Sequence, residues 1–148
     1  MKFLLNKLPK RVIYRNDGSK YLTRYYIFRK PKSMKWLFSI YIHQFHDSDR
    51  DEALHNHEWK NSFSIILKGS YREEYRDNKT KKVKERVLSP GKFNFISADK
   101  FHRVDLLTPE VWTLFISGSK RGQEDHSWGF WDRLTNKYTD WKEFTNNN

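Results

Sequence analysis

The run Leu54-His55-Asn56-His57-Glu58-Trp59 decides the fold once it is set beside a second run, Pro90-Gly91-Lys92-Phe93-Asn94-Phe95-Ile96-Ser97-Ala98-Asp99-Lys100-Phe101-His102. Side chains alternate between the faces of an extended strand, so His55 and His57 share a face. Two imidazoles on one face, met by His102 from a distant strand, can close around a transition metal. A metal pocket walled by strands implies small-molecule chemistry or recognition inside a β-barrel.

The surrounding sequence reads as short strands separated by turns. Aromatic and β-branched runs over 21–28 and 36–45 flank the turn Pro31-Lys32-Ser33. Further strands are expected over 54–59, 62–67, 71–76, 82–88, 93–96, 102–107 and 111–117, with turns at Gly69, Asp77-Asn78-Lys79-Thr80 and Ser89-Pro90-Gly91. No long amphipathic helix and no repeat is evident, which argues for an all-β sandwich or closed barrel. The aromatic end, Trp128 through Trp141 and Phe144, is expected to pack on the barrel, with residues 146–148 frayed.

At 148 residues the chain fits one domain, and 17% aromatic residues suit a core built on rings. It has no cysteine, so disulfides and thiolate metal sites are excluded, and any metal must take imidazole, carboxylate, carbonyl or water. The opening apolar run is too short for a secretory signal and no stretch suits a bilayer span, so a cytosolic location without membrane contact is the expectation. Charge is uneven. Residues 1–35 carry eleven Lys or Arg against the single acid Asp17, whereas residues 36–148 nearly balance. That asymmetry points either to an anionic partner, such as a nucleic acid or a phosphorylated or carboxylated small molecule, or to a solvated basic arm.

The two histidine runs resemble the signature motifs of the cupin superfamily. His55 and His57 match the His-x-His pair and Gly69 the later glycine of the first motif; Pro90, Gly91, Ile96, His102 and Val104 match the second. The resemblance covers roughly residues 36–118. It implies an all-β, cupin-type double-stranded β-helix (a jelly-roll barrel) in a single domain over 1–148, with basic strands over 1–35 and an aromatic tail over 119–148. It also implies a homodimer. The strand 21–28, the loop 48–52, the strand from Gly69 to Glu73 and Trp128-Gly129-Phe130-Trp131 further resemble small, mostly uncharacterised cupin-like proteins of phages and bacteria. That likeness implies a family and no reaction.

The pattern also departs from cupins. Asn61 or Ser62 stands where cupins place an acid, Ser97 replaces a proline, Asp99 a glycine, and Asp49 falls near a missing glycine. The three histidines alone are similar to the site of cupin thiol dioxygenases and imply a divalent metal, Fe(II) first, with Zn, Mn or Ni as alternatives. The other reading is a barrel whose histidines are hydrogen-bonded core residues without metal.

Other candidates surround the trio. Tyr71, Glu73 and Tyr75 share a strand face, so Glu73 reads either as an inward ligand or general base, or as a solvated edge carboxylate. Tyr71 and, on strand 21–28, Arg24 and Tyr26 are candidate substrate contacts, with Arg24 as an anion clamp or else an outward, solvated residue. Glu58 is expected to face away from the metal, and Glu74 to pair with Arg72 or Arg76 outside. His43 is expected to be packed or solvated, and His46 and His126 exposed. The acidic loop 47–52 lacks the glycine and spacing of an EF-hand and reads as solvated, neutralising part of the basic segment. The tryptophans read as core. No phosphate-cradling glycine loop or serine-nucleophile motif occurs. Three functions follow: a metal-dependent enzyme, dioxygenase-like, acting on an anionic small molecule; a non-catalytic barrel holding an anion such as a nucleotide; or a nucleic-acid-binding protein using its basic first quarter.

Overall fold

Short runs of β-branched and aromatic residues alternating with polar ones fold almost all of this chain into strands. A computed structural model describes residue 5 and residues 7–34, 36–49, 52–121 and 128–146. In chain order the strands are β1 (Lys10–Tyr14), β2 (Lys20–Phe28), β3 (Ser39–Phe45), β4 (Leu54–His55), β5 (Asn61–Lys68), β6 (Tyr71–Arg76), β7 (Val83–Leu88), β8 (Phe93–Ser97), β9 (His102–Leu106), β10 (Val111–Ser117), β11 (Gly129–Trp131) and β12 (Tyr138–Asp140), followed by a short helix, α1 (Trp141–Asn146). They form two six-stranded antiparallel sheets, β1-β2-β3-β10-β5-β8 and β12-β11-β4-β9-β6-β7. This is the expected all-β jelly roll.

Differences from the sequence reading lie at the edges. Residues 36–38 stay outside β3, and the strand expected over 54–59 shrinks to Leu54–His55. Asn56 ends it: its amide donates to Ala98 O, its Oδ1 accepts from Gly129 N, and it is almost fully buried. Three strands and the helix α1 were not foreseen. β1 pairs with β2, and β11 with β12 extends the second sheet beyond β4. Gly69, with φ +76°, makes the β5–β6 turn; a Cβ there would lie 2.3 Å from Glu110 O.

Two apolar clusters fill the space between the sheets. Ile66, Tyr71, Leu88, Val104 and Val111 form one; Tyr41, Ile96 and Phe115, with Tyr26 and Trp59, form the other. The first sheet is apolar on its outer face as well. Cross-strand register aligns Phe93, Ile65, Leu114, Ile42 and Tyr25 in one row, and Phe95, Phe63, Ile116, Ile40 and Phe28 in the next. Leu5 and Leu8 cover the Tyr25, Ile42, Trp112 and Leu114 end. At the other end Phe93 and Phe95 are 63% and 57% exposed. No helix among the described residues is long and apolar enough to cross a membrane.

Candidate metal centre

Register brings the histidines together. His55 on β4 stands directly opposite His102 on β9, and the Asn56 anchor turns His57 back toward both. One nitrogen of each ring lies within 4.8 Å of the others. His57 Nε2 and His102 Nε2 are 2.8 Å apart. Two nitrogens bound to one metal at right angles would be about 2.9 Å apart at ordinary metal–imidazole lengths. Burial, reinforced by the neighbouring rings, lowers the pKa of His57 well below its ordinary value. Burial and His102 lower that of His55 to about 4, against the opposing pull of Asp49 and Glu73. Both rings are therefore neutral near pH 7 and keep lone pairs for a cation.

The third ring is oriented by Glu73. This carboxylate is fully buried on β6 and accepts from His102 Nδ1 at 2.7 Å, Asn94 Nδ2 at 2.7 Å, Arg86 Nε at 2.7 Å and Lys100 Nζ at 2.8 Å. Burial alone would raise its pKa, but the bonds and charges of His102 and Lys100 outweigh burial and hold it well below the carboxylate range. An ionised carboxylate only accepts, so His102 carries its proton on Nδ1 and, when neutral, presents Nε2 as a lone pair to the other histidines. Glu73 thus faces inward, yet its oxygens are spent on these four partners. Asn94, Arg86 and Lys100 were missed from sequence. One signal was available: on β8 the alternation is inverted, with Phe93 and Phe95 outward and Asn94 buried between them.

Beside the histidines a cavity of about 520 Å³ opens between the sheets. Arg24, His43, Tyr71, Thr113, Trp128 and Phe130 are in its wall. Arg24 Nε donates to His43 Nε2 at 3.0 Å, and its guanidinium lies 5.0 Å from the Tyr41 ring and 5.8 Å from the Trp59 ring. His43 stacks on Phe115 at 4.8 Å, and burial, with Arg24 beside it, lowers its pKa. Tyr26 does not reach the cavity; it packs edge-on against Tyr41 in the core.

The remaining expectations sort by neighbour. The 47–49 part of the acidic loop is anchored, not solvated. Asp47 pairs with Arg15, Arg15 Nη2 donates to Ser48 O, and Asp49 accepts from Tyr21 OH and Val104 N. Asp49 Oδ2 also lies 3.9 Å from His55 Nδ1. His46 is half-buried, 2.8 Å from Thr23 Oγ1, because the loop folds back on β2. Glu74 binds Arg133 at 2.9 Å instead of Arg72 or Arg76, since Arg76 lies over Trp131. Glu58 pairs with Lys120. Trp112 and Trp131 are core, whereas Trp128 lines the cavity and stacks on Trp141. His126, Arg50, Asp51 and residues 147–148 lie outside the described residues, as does the Phe144 side chain.

No protein-family model matches the sequence, and no curated protein matches it. Solved structures do resemble it. An Fe(II) form of HppE with an alternative substrate aligns with a TM-score of 0.59 at 17% identity, over 76% of this chain and 57% of that one. Hydroxypropylphosphonic acid epoxidase from S. wedmorenis aligns with a TM-score of 0.55 at 17% identity, over 76% and 56%. An oxalate decarboxylase variant from Bacillus subtilis aligns with a TM-score of 0.58 at 11% identity, over 82% and 30%. The chain thus spans little more than half of the epoxidase and under a third of the decarboxylase. These are cupin-fold proteins, and at such identities the shared feature is the jelly roll.

Proposed function

We propose that this chain is a metal-binding cupin barrel and an enzyme acting on an anionic small molecule. The observation that carries the reading is the convergence of three histidine nitrogens, one of them oriented by a buried carboxylate, at a cavity containing an arginine. His55, His57 and His102 would hold a divalent transition metal, Fe(II) in the first instance, with Zn, Mn or Ni fitting the same donors. Such a metal, when bound, supplies Lewis acidity and open positions for dioxygen, water or substrate. The chain itself does the rest. Glu73 fixes the His102 tautomer from outside the cavity, His43 positions Arg24, and Arg24 with Tyr71 contacts the substrate. The apolar wall of Phe115, Trp128 and Phe130 excludes water.

Titration of metal-free protein with Co(II) should give one equivalent and a visible absorption band, lost in His55→Ala, His57→Ala and His102→Ala. No stoichiometric binding by the native chain would refute the reading. The other reading, a barrel that only holds its anion, is favoured by the absence of a fourth carboxylate ligand among the described residues. Dioxygen uptake by the Fe(II) form with a panel of carboxylated and phosphorylated compounds separates the two, since only the enzyme consumes dioxygen or converts the compound. Nucleic acid is the weaker partner, because Arg11, Arg15 and Arg24 of the basic first quarter line the cavity.

A second copy of the chain is the proposed occupant of the bare outer end of the first sheet. From β8 to β2 the two aligned rows contain no charged residue, Lys10 on β1 being the first, although the chain carries a net +11. At that end Phe93, Phe95 and Leu67 are exposed on one face, an apolar surface that a second copy would cover. Phe95→Lys should convert a dimer to a monomer in analytical ultracentrifugation; a monomeric native chain contradicts this.

A further inference from the structure

The proposed function requires an anion; the β1–β2 register says what kind. Arg11 stands directly opposite Arg24, so the two side chains share a face, and both line the cavity. Like charges directly opposite in an antiparallel pair are destabilising, and two guanidinia facing one space call for a shared counter-ion. The protein supplies none among the described residues. Asp49 is taken by Tyr21 and Val104, Glu58 by Lys120, and Asp47 by Arg15. Arg24 spends only Nε, on His43, leaving its terminal nitrogens without an acceptor among the described residues. Arg11 has neither a hydrogen bond nor an ion pair there. A third polar group is also unused: Thr113 Oγ1 is buried in the same wall without a hydrogen-bond partner among the described residues.

We propose that Arg11 and Arg24 clamp a single tetrahedral dianion, the headgroup of a phosphomonoester or phosphonate, whose apolar body runs along Trp59 to the three histidines. Two converging cations match a charge of −2 on one group, and the guanidinium fork matches its oxygens. Trp59 bridges the two ends of the site: its ring is 5.8 Å from the Arg24 guanidinium and 5.7 Å from the His57 ring. Phe115, 5.5 Å from Trp59, and Phe130, 6.2 Å from His55, provide the apolar walls. His43 is the positioning residue of the clamp. Arg15, neutralised by Asp47, is not part of it.

The inference rests on the anion-binding half of the proposed function and is independent of the metal. Calorimetry on the full, metal-free chain at pH 7.5 should show phenyl phosphate binding at least about tenfold more tightly than benzoate, which has a similar body but one charge. Arg11→Gln and Arg24→Gln should each weaken phenyl phosphate by about tenfold or more, while the exposed strand variant Lys20→Gln stays within about twofold. Arg11 is exposed, so its replacement tests the clamp even if Arg24→Gln folds poorly. Equal affinity for the two probes overturns the clamp, as does an effect of Lys20→Gln as large as that of Arg11→Gln. Co(II) titration of the same preparations keeps the claims apart: Co(II) uptake without phenyl phosphate binding overturns the clamp alone, and the reverse overturns the metal centre alone.

Discussion

The two sheets treat charge in opposite ways. On the inner face of the second sheet, Glu73 is matched on every side by Arg86, Lys100, Asn94 and His102. On the inner face of the first, Arg24 has His43 and two aromatic rings but, among the described residues, no acid. A buried charge compensated within the protein holds the site in shape; one left uncompensated is available to a ligand. Stability and binding should therefore respond to mutation in opposite proportion on the two sides.

The largest effect is expected at Glu73. Glu73→Ala strands Lys100 and Arg86 without their anion and should cost about 3–5 kcal/mol in urea unfolding of the metal-free protein. A smaller loss would mean that solvent reaches these cations more easily than the fully buried carboxylate implies. Glu73→Gln, which keeps the shape but not the charge, should weaken metal affinity about 10–100-fold by loosening the His102 tautomer, read by competition with a chelator. On the first sheet, Arg24→Met should cost no more than about 1 kcal/mol, because it removes an unmatched charge and one hydrogen bond. If its cost equals that of Glu73→Ala, the contrast between the sheets fails.

The histidines predict a pH effect that separates them from Glu73. Burial lowers the pKa of His43, His55 and His57 from 6.5, that of His55 to about 4. Below pH 6.5 the unfolded chain therefore takes up protons that the folded metal-free chain refuses, and stability is lost as pH falls. The slope should be up to about 1.4 kcal/mol per pH unit for each ring. Glu73, lowered from 4.5, gives stability that is present above that pH and lost only below it. Unfolding measured between pH 5 and 6.5 thus reports on the histidines, and His43→Leu should flatten part of the slope. The smallest effect belongs to an exposed pair: Arg72→Ala, which loses contacts to Asp105 and Glu85, should leave the urea unfolding midpoint unchanged.

The barrel was legible because strand alternation and turn residues are local. Tyr71–Arg76 and Val111–Ser117 follow directly from runs of suitable residues. β1 and β11 were not, since Lys10–Tyr14 opens on two basic residues and Gly129–Trp131 has three residues, and each becomes a strand only through a partner strand. Of the site, the histidine trio could be read from spacing, and Arg24 from its place on β2. The Arg11–Arg24 pairing depends on the register of two strands, and the shell around Glu73 on three more. Neither is encoded within any single segment.

The central claim is that His55, His57 and His102 are held as a metal site, and metal analysis tests it most directly. Protein purified without added metal, then analysed by mass spectrometry for metal content, should carry up to one equivalent of a first-row transition metal per chain. Metal-free protein should regain one equivalent on exposure to Fe(II), and a folded His102→Ala variant should retain and regain none. A native chain that neither carries nor takes up metal, or a His102→Ala variant that binds it equally well, would contradict the account.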